Sequence, residues 1–249
     1  MITDPSVYLV ASVAVSCLGL SKGGFIGFGL IATPLLALAI PPLEAAAILL
    51  PIMLAQDVFS AWSFRHDWDY RTLAVMLPGS LFGIALAWVL ASYLNEALVR
   101  LAVGMVGISF AISHWIGLRT KTQNGTSGLF WGIVAGFTGT LANAGGPPFL
   151  VYALSQDLAK MTFVGTMAIF FLVLNATKLI PFFALGQLSN QNLATSVLLL
   201  PLAIITNFVA IWLVRRVPSS TFYRVSYGLV LAVSIGLIWQ GITHHGGKP

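Results

Sequence analysis

GLSKGGFIGFG, residues 19–29, interrupts the apolar run that opens the chain. Val7 to Ala39 would be ~50 Å long as one α-helix, too long for a single crossing of ~30 Å of hydrocarbon. Lysine and glycines fall at its middle, so two short helices meeting at a glycine turn fit the stretch better than one crossing. The construction returns as GTLANAGGPPF, residues 139–149, at the head of the second half. A turn at that depth in a bilayer is tolerated only where protein or a water-filled cavity surrounds it.

The rest of the chain places these two breaks in a membrane. Of 249 residues, 58% are hydrophobic and 8% charged, with mean hydropathy +0.93, whereas soluble domains are about one quarter charged. Apolar runs recur with short polar gaps, so residues 1–249 read as a single all-α, polytopic membrane domain whose first partner is the lipid bilayer. The opening MITDPS carries an acid where a signal peptide has a basic region, and is read as part of the fold. The formal charge is +5, but the basic residues stand singly in short loops, which argues for orientation in a membrane and not for nucleic-acid binding. Cys17 is the only cysteine, so it reads as a small buried residue; neither an intramolecular disulfide nor a cysteine-rich metal site can form. No Walker loop, GxSxG elbow or HExxH is present, so no cofactor, metal or enzymatic activity is expected.

The two halves share more than their heads. Arg100 and Gly104 in VRLAVG match Arg224 and Gly228 in YRVSYG; AVMLPG around Pro78 matches VLLLPL around Pro201; MLAQD around Gln56 matches LVLNA around Asn175. The fragments keep one order, which predicts an internal repeat, with repeat one over about 6–118 and repeat two over about 128–243. Long spanning segments are expected at 43–62, 71–92 and 98–117, and at 161–185, 193–214 and 222–242. With the two heads this makes about eight transmembrane segments by usual counting.

Each head is either a broken span or a hairpin that leaves on the side it entered, and basic residues choose between the two. Single crossings place Arg65, Arg71, Arg119, Lys121 and Lys248 opposite Arg100, Lys160, Arg215, Arg216 and Arg224, an even split. Hairpins gather Arg65, Arg71, Arg119, Lys121, Lys160, Arg215, Arg216 and Arg224 on one side, with Arg100 and Lys248 opposite. The second distribution obeys the positive-inside rule. The expected fold is therefore two inverted repeats, each a broken or re-entrant hairpin plus three spanning helices, with both termini outside the cytoplasm.

Helices that start at the turns would present free N–H groups and positive dipole ends to a central cavity. Lys22 beside Gly23 and Gly24 makes an anion site; Asn143 with Gly145 and Gly146 repeats it, and Pro147 and Pro148 suit a first helical turn. Gln56 and Asn175, matched by the repeat, are expected to orient substrate oxygens. Asp57 and Lys178 are candidates for a proton or ion-pair role, and Asp57 is also a pairing partner for Lys22. Packing of helices offers the competing explanation for the glycines of FIGFG and GFTGT. His114 reads as interfacial beside Trp115, and His244 and His245 as solvated.

On GLSKGGFIGFGLIATPLL, TGTLANAGGPPFLVYAL and the repeated RLAVG and RVSYG, the chain resembles the TauE/SafE family of sulfite exporters over essentially its full length. The resemblance implies a multi-pass transporter in the bacterial inner membrane that moves small sulfur-containing anions, sulfite or short organosulfonates. The residues themselves imply a small anionic substrate without naming sulfur. An anion-selective channel and a non-transporting membrane scaffold remain the alternatives. A homodimer is compatible with so many apolar faces, none of which stands out as an interface.

Overall fold

The computed structural model describes residues 5–36, 39–40, 42–90, 101, 105, 108, 112, 125–141, 143–184 and 186–245, and the elements among them are helices. In chain order these are α1 (Pro5–Ser21), α2 (Ile26–Leu36), α3 (Pro42–Ser63), α4 (Tyr70–Leu90), α5 (Gly125–Leu141), α6 (Gly146–Ser155), α7 (Lys160–Ala184), α8 (Asn190–Arg216) and α9 (Ser219–His245). The segment expected at 98–117, with Arg100 and His114, lies essentially outside the described residues, as do Arg119, Lys121 and Lys248. Among the described residues, Glu44–Ser63, Tyr70–Leu90, Lys160–Ala184 and Asn190–Arg216 are long and apolar enough to cross a membrane. The chain is a multi-pass helical membrane protein.

Local chemistry explains where the long helices stop and start. Ser189 caps α8 by accepting from Asn192 N, which starts that helix three residues ahead of its apolar run. Arg215 and Arg216 complement its C-terminal dipole, and Val217 is extended ahead of Pro218. Prolines 51, 78, 181 and 201 sit inside helices, where packed neighbours can satisfy the backbone groups they release. The polarity of α8 is inside out. Asn192, Thr195, Ser196 and Asn207 are buried, whereas Val197, Leu198, Ile205, Phe208 and Trp212 are exposed. Such a helix turns its polar side to protein and its apolar side to lipid.

Packing gives the helix directions. Gly19 abuts Thr206 and Gly23 abuts Ala210, so α1 runs parallel to α8. Ser196 Oγ donates to Ile48 O and Ser60 Oγ to Asn207 Oδ1, so α3 also runs parallel to α8. Since α1 and α3 share a direction, α2 has to return: α1 and α2 form a hairpin that ends on the side where it began. Gly79 and Gly83 abut the backbone at Leu129 and Ile133, making α4 and α5 parallel. Gly128 meets Tyr152 and Gly139 meets Gly145, so α5 and α6 form a second hairpin. α3 and α7 are antiparallel, for Asp57 meets Asn175 while Phe64 meets Gly165.

Two consequences position the site. The hairpins enter from opposite ends of the bundle, and Asn143 at one turn donates through Nδ2 to Thr33 Oγ1 of α2 at 2.9 Å. The α3–α4, α6–α7 and α8–α9 connections meet on one face, where Thr166 Oγ1 accepts from Asp69 N, Lys160 Nζ donates to Val217 O and Tyr223 Oη to Leu158 O. Arg65, Arg71, Lys160, Arg215, Arg216 and Arg224 all belong to that face.

Candidate functional site

Both hairpin turns end at one small cavity, and their backbones explain why the sequence turns there. In the first, Lys22 N, Gly23 N and Gly24 N donate to Gly19 O, Leu20 O and Ser21 O, tightening the end of α1. Gly24 takes φ +93°, a left-handed conformation that glycine adopts without strain. In the second, Asn143 takes φ +51°, which asparagine tolerates better than most side chains. Thr138 O accepts from Ala144 N, and Thr138 Oγ1 donates to Ala144 O, stapling that turn.

The cavity measures about 70 Å³, room for a few waters or one small anion. Its lining is mixed, with the polar side chains of Ser21, Lys22, Thr33, Asn143, Asn175 and Lys178 beside the apolar ones of Leu18, Met53, Met167 and Phe171. Gly145 and Gly146 also line it. Gly23 and Gly24 do not: they press against Ala210 and Phe222 and allow close packing of the turn. Gln56 lies behind α3, where Nε2 donates to Ala203 O of α8, its backbone oxygen accepts from Asn207 Nδ2, and Oε1 has no partner among the described residues. The helix-start donors are fewer than the sequence pattern suggests. Pro147 and Pro148 have no N–H, and Phe149 N is used by Gly145 O, which leaves, of this helix start, the N–H groups of Gly145 and Gly146, two residues that line the cavity.

Charge is distributed unequally between the two turns. Lys22 Nζ lies 2.5 Å from Asp57 Oδ1, and Asn175 Nδ2 donates to Asp57 Oδ2 at 2.6 Å, so both carboxylate oxygens are engaged and Asp57 is fully buried. Lys178, 5% exposed, has no carboxylate within ion-pair distance among the described residues; Nζ donates to Asn143 Oδ1 at 3.3 Å. Each turn is thus tied to the long helix that follows it by a side-chain bond 35 residues apart, Lys22 to Asp57 and Asn143 to Lys178. The equivalence is one of contact and not of sequence match: Gln56 and Asn175, aligned in the sequence, make different contacts. Lys22, Asp57 and Lys178 sum to one positive charge. A buried ammonium with one neutral side-chain partner beside a cavity has the charge and donors to attract an anion.

Thr33 was not singled out by its sequence context, one hydroxyl in an apolar helix, yet it bridges the two hairpins. The lysine of the glycine motif is visible in the sequence; that its charge is cancelled, and that Lys178 carries the uncancelled one, depends on which helices meet.

The family model described as Sulfite exporter TauE/SafE matches residues 10–237, which include both hairpin turns and every residue that lines the cavity. No curated protein and no solved structure matches the chain.

Proposed function

The chain belongs to the sulfite exporter TauE/SafE family, and from that premise we propose that it is a secondary transporter that exports a small sulfur-containing anion bound between the two hairpin turns. The observation that carries the reading is Lys178, a buried ammonium on a cavity of about 70 Å³ with no carboxylate in ion-pair distance among the described residues. Lys178 supplies the uncompensated charge, while Lys22, Asn143, Asn175 and the N–H groups of Gly145 and Gly146 supply donors to the anion's oxygens. Asp57 holds Lys22 and Asn175 in place.

The proposed transport cycle rests on an inverted repeat. It is supported by the exchange of partners between halves: α1 packs parallel to α8 as α5 packs parallel to α4, and α3 faces its counterpart α7 in the opposite direction. Rocking one repeat against the other alternates access to the central cavity. The basic face orients toward the cytoplasm of a bacterial inner membrane and both termini toward the periplasm. Export of an anion then needs no coupling ion, since one elementary charge moving through ~100 mV is worth ~2.3 kcal/mol.

The test is binding and flux. Sulfite and short sulfonates should raise the melting temperature of detergent-purified protein and exchange across proteoliposomes with saturation and counterflow. Lys178→Met should remove both effects. Flux without saturation or counterflow would favour a channel, and a folded wild type that no anion stabilises would favour the scaffold reading.

A further inference from the structure

We propose that the cavity selects its anion by valence, and that Asp57 sets that valence: the site takes a singly charged head group and discriminates against a dianion. The inference rests on the anion-site reading above and adds a rule to it.

The rule follows from counting charges on each element packed around the cavity. The first turn brings Lys22, α3 brings Asp57, and α7 brings Lys178; the remaining polar side chains of the wall, Ser21, Thr33, Asn143 and Asn175, are neutral. Asp57 has no solvent exposure and its two oxygens are bound, one by Lys22 and one by Asn175, so its charge and that of Lys22 cancel as a unit. Among the described residues one positive charge is left, on Lys178. A monoanion brings the loaded site to neutrality, the state that costs least in a medium where charges are weakly screened. A dianion leaves one negative charge there, close to a carboxylate.

The walls add an independent argument. Leu18, Met53, Met167 and Phe171 line the cavity as well. An oxyanion with oxygens in every direction would leave some of them against thioethers and an aromatic ring without donors, which is unfavourable for a buried acceptor. A head with fewer oxygens and a short apolar substituent matches this mixed lining.

Methanesulfonate and sulfate are suitable probes because their charges, one and two, are constant around neutral pH. Affinities for both are measured by calorimetry on the detergent-purified full chain. Wild type should bind methanesulfonate at least ~10-fold more tightly than sulfate. Asp57→Asn, which preserves size and raises the site to two positive charges, should reverse that preference. Lys22→Met combined with Asp57→Asn returns the site to one positive charge and should restore it. Equal affinities in wild type, or a preference unchanged in folded Asp57→Asn, would overturn the valence rule while leaving an anion site in place. Failure of folded wild type to bind either probe would overturn the anion-site reading along with the rule. If Asp57→Asn alone does not fold, wild type and the double variant decide, since both must prefer methanesulfonate and the absence of that preference in either sinks the rule.

Discussion

Lys22 and Asp57 are worth more to the fold as a pair than either is alone. A buried ion pair is costly to form and costlier to break, because removal of one partner strands the other charge. Asp57→Ala should therefore destabilise the protein by about 3–5 kcal/mol, read as a lower melting temperature in detergent, whereas Lys22→Met with Asp57→Leu should recover most of the loss. Asp57 as a partner of Lys22 is legible in the sequence, since few acids fall inside apolar segments. The contact between Asn143 and Lys178 is not, because an asparagine at a turn and a lysine in a helix carry no mark of the side chains they will meet. Gln56 shows the same limit: its polarity marks it as interior-facing, and only packing against Ala203 and Asn207 places it behind α3, away from the cavity.

At the scale of elements, glycines do two kinds of work. On the α4–α5 seam, Gly132 and Gly136 approach the backbone oxygens of Met76 and Ser80, and Gly79 and Gly83 approach those of Leu129 and Ile133. Small residues let transmembrane helices touch along their backbones. Gly136→Ala puts a methyl group where Ser80 O lies and should cost about 1–3 kcal/mol, with Gly132→Leu worse; both would show as loss of monodisperse protein or a lower melting temperature. Gly228 in α9 has nothing within 4 Å of a Cβ position among the described residues, so Gly228→Ala should be neutral or stabilising by up to ~1 kcal/mol. The lengths of the five long helices described were readable from the apolar runs, with ends within about three residues, because a bilayer demands a minimum length and polar loops mark its limits. Which glycines pack helices and which turn the chain was not readable from composition; Gly136 of GFTGT packs, while Gly24 of the first turn adopts φ +93°.

For the whole molecule, the hairpin architecture makes a prediction about sides. In a Cys17→Ser background, Ser220→Cys, exposed on the basic face, should react with an impermeant thiol reagent only from the cytoplasm. Asn190→Cys, exposed at the opposite end of α8, should react only from outside. Labelling of both from one side would remove the proposed orientation. Local polarity and segment length, both read from the sequence alone, establish that the chain is a multi-pass membrane protein and that each half opens with an interrupted segment; that the basic residues share a side follows only once the heads are hairpins. Tertiary structure decided that α2 returns along α1, which depends on both α1 and α3 lying parallel to α8. It also decided where the uncompensated charge lies. Whether a buried lysine is neutralised depends on a carboxylate 35 residues away reaching it within 2.5 Å, a matter of helix direction and register that no local pattern encodes.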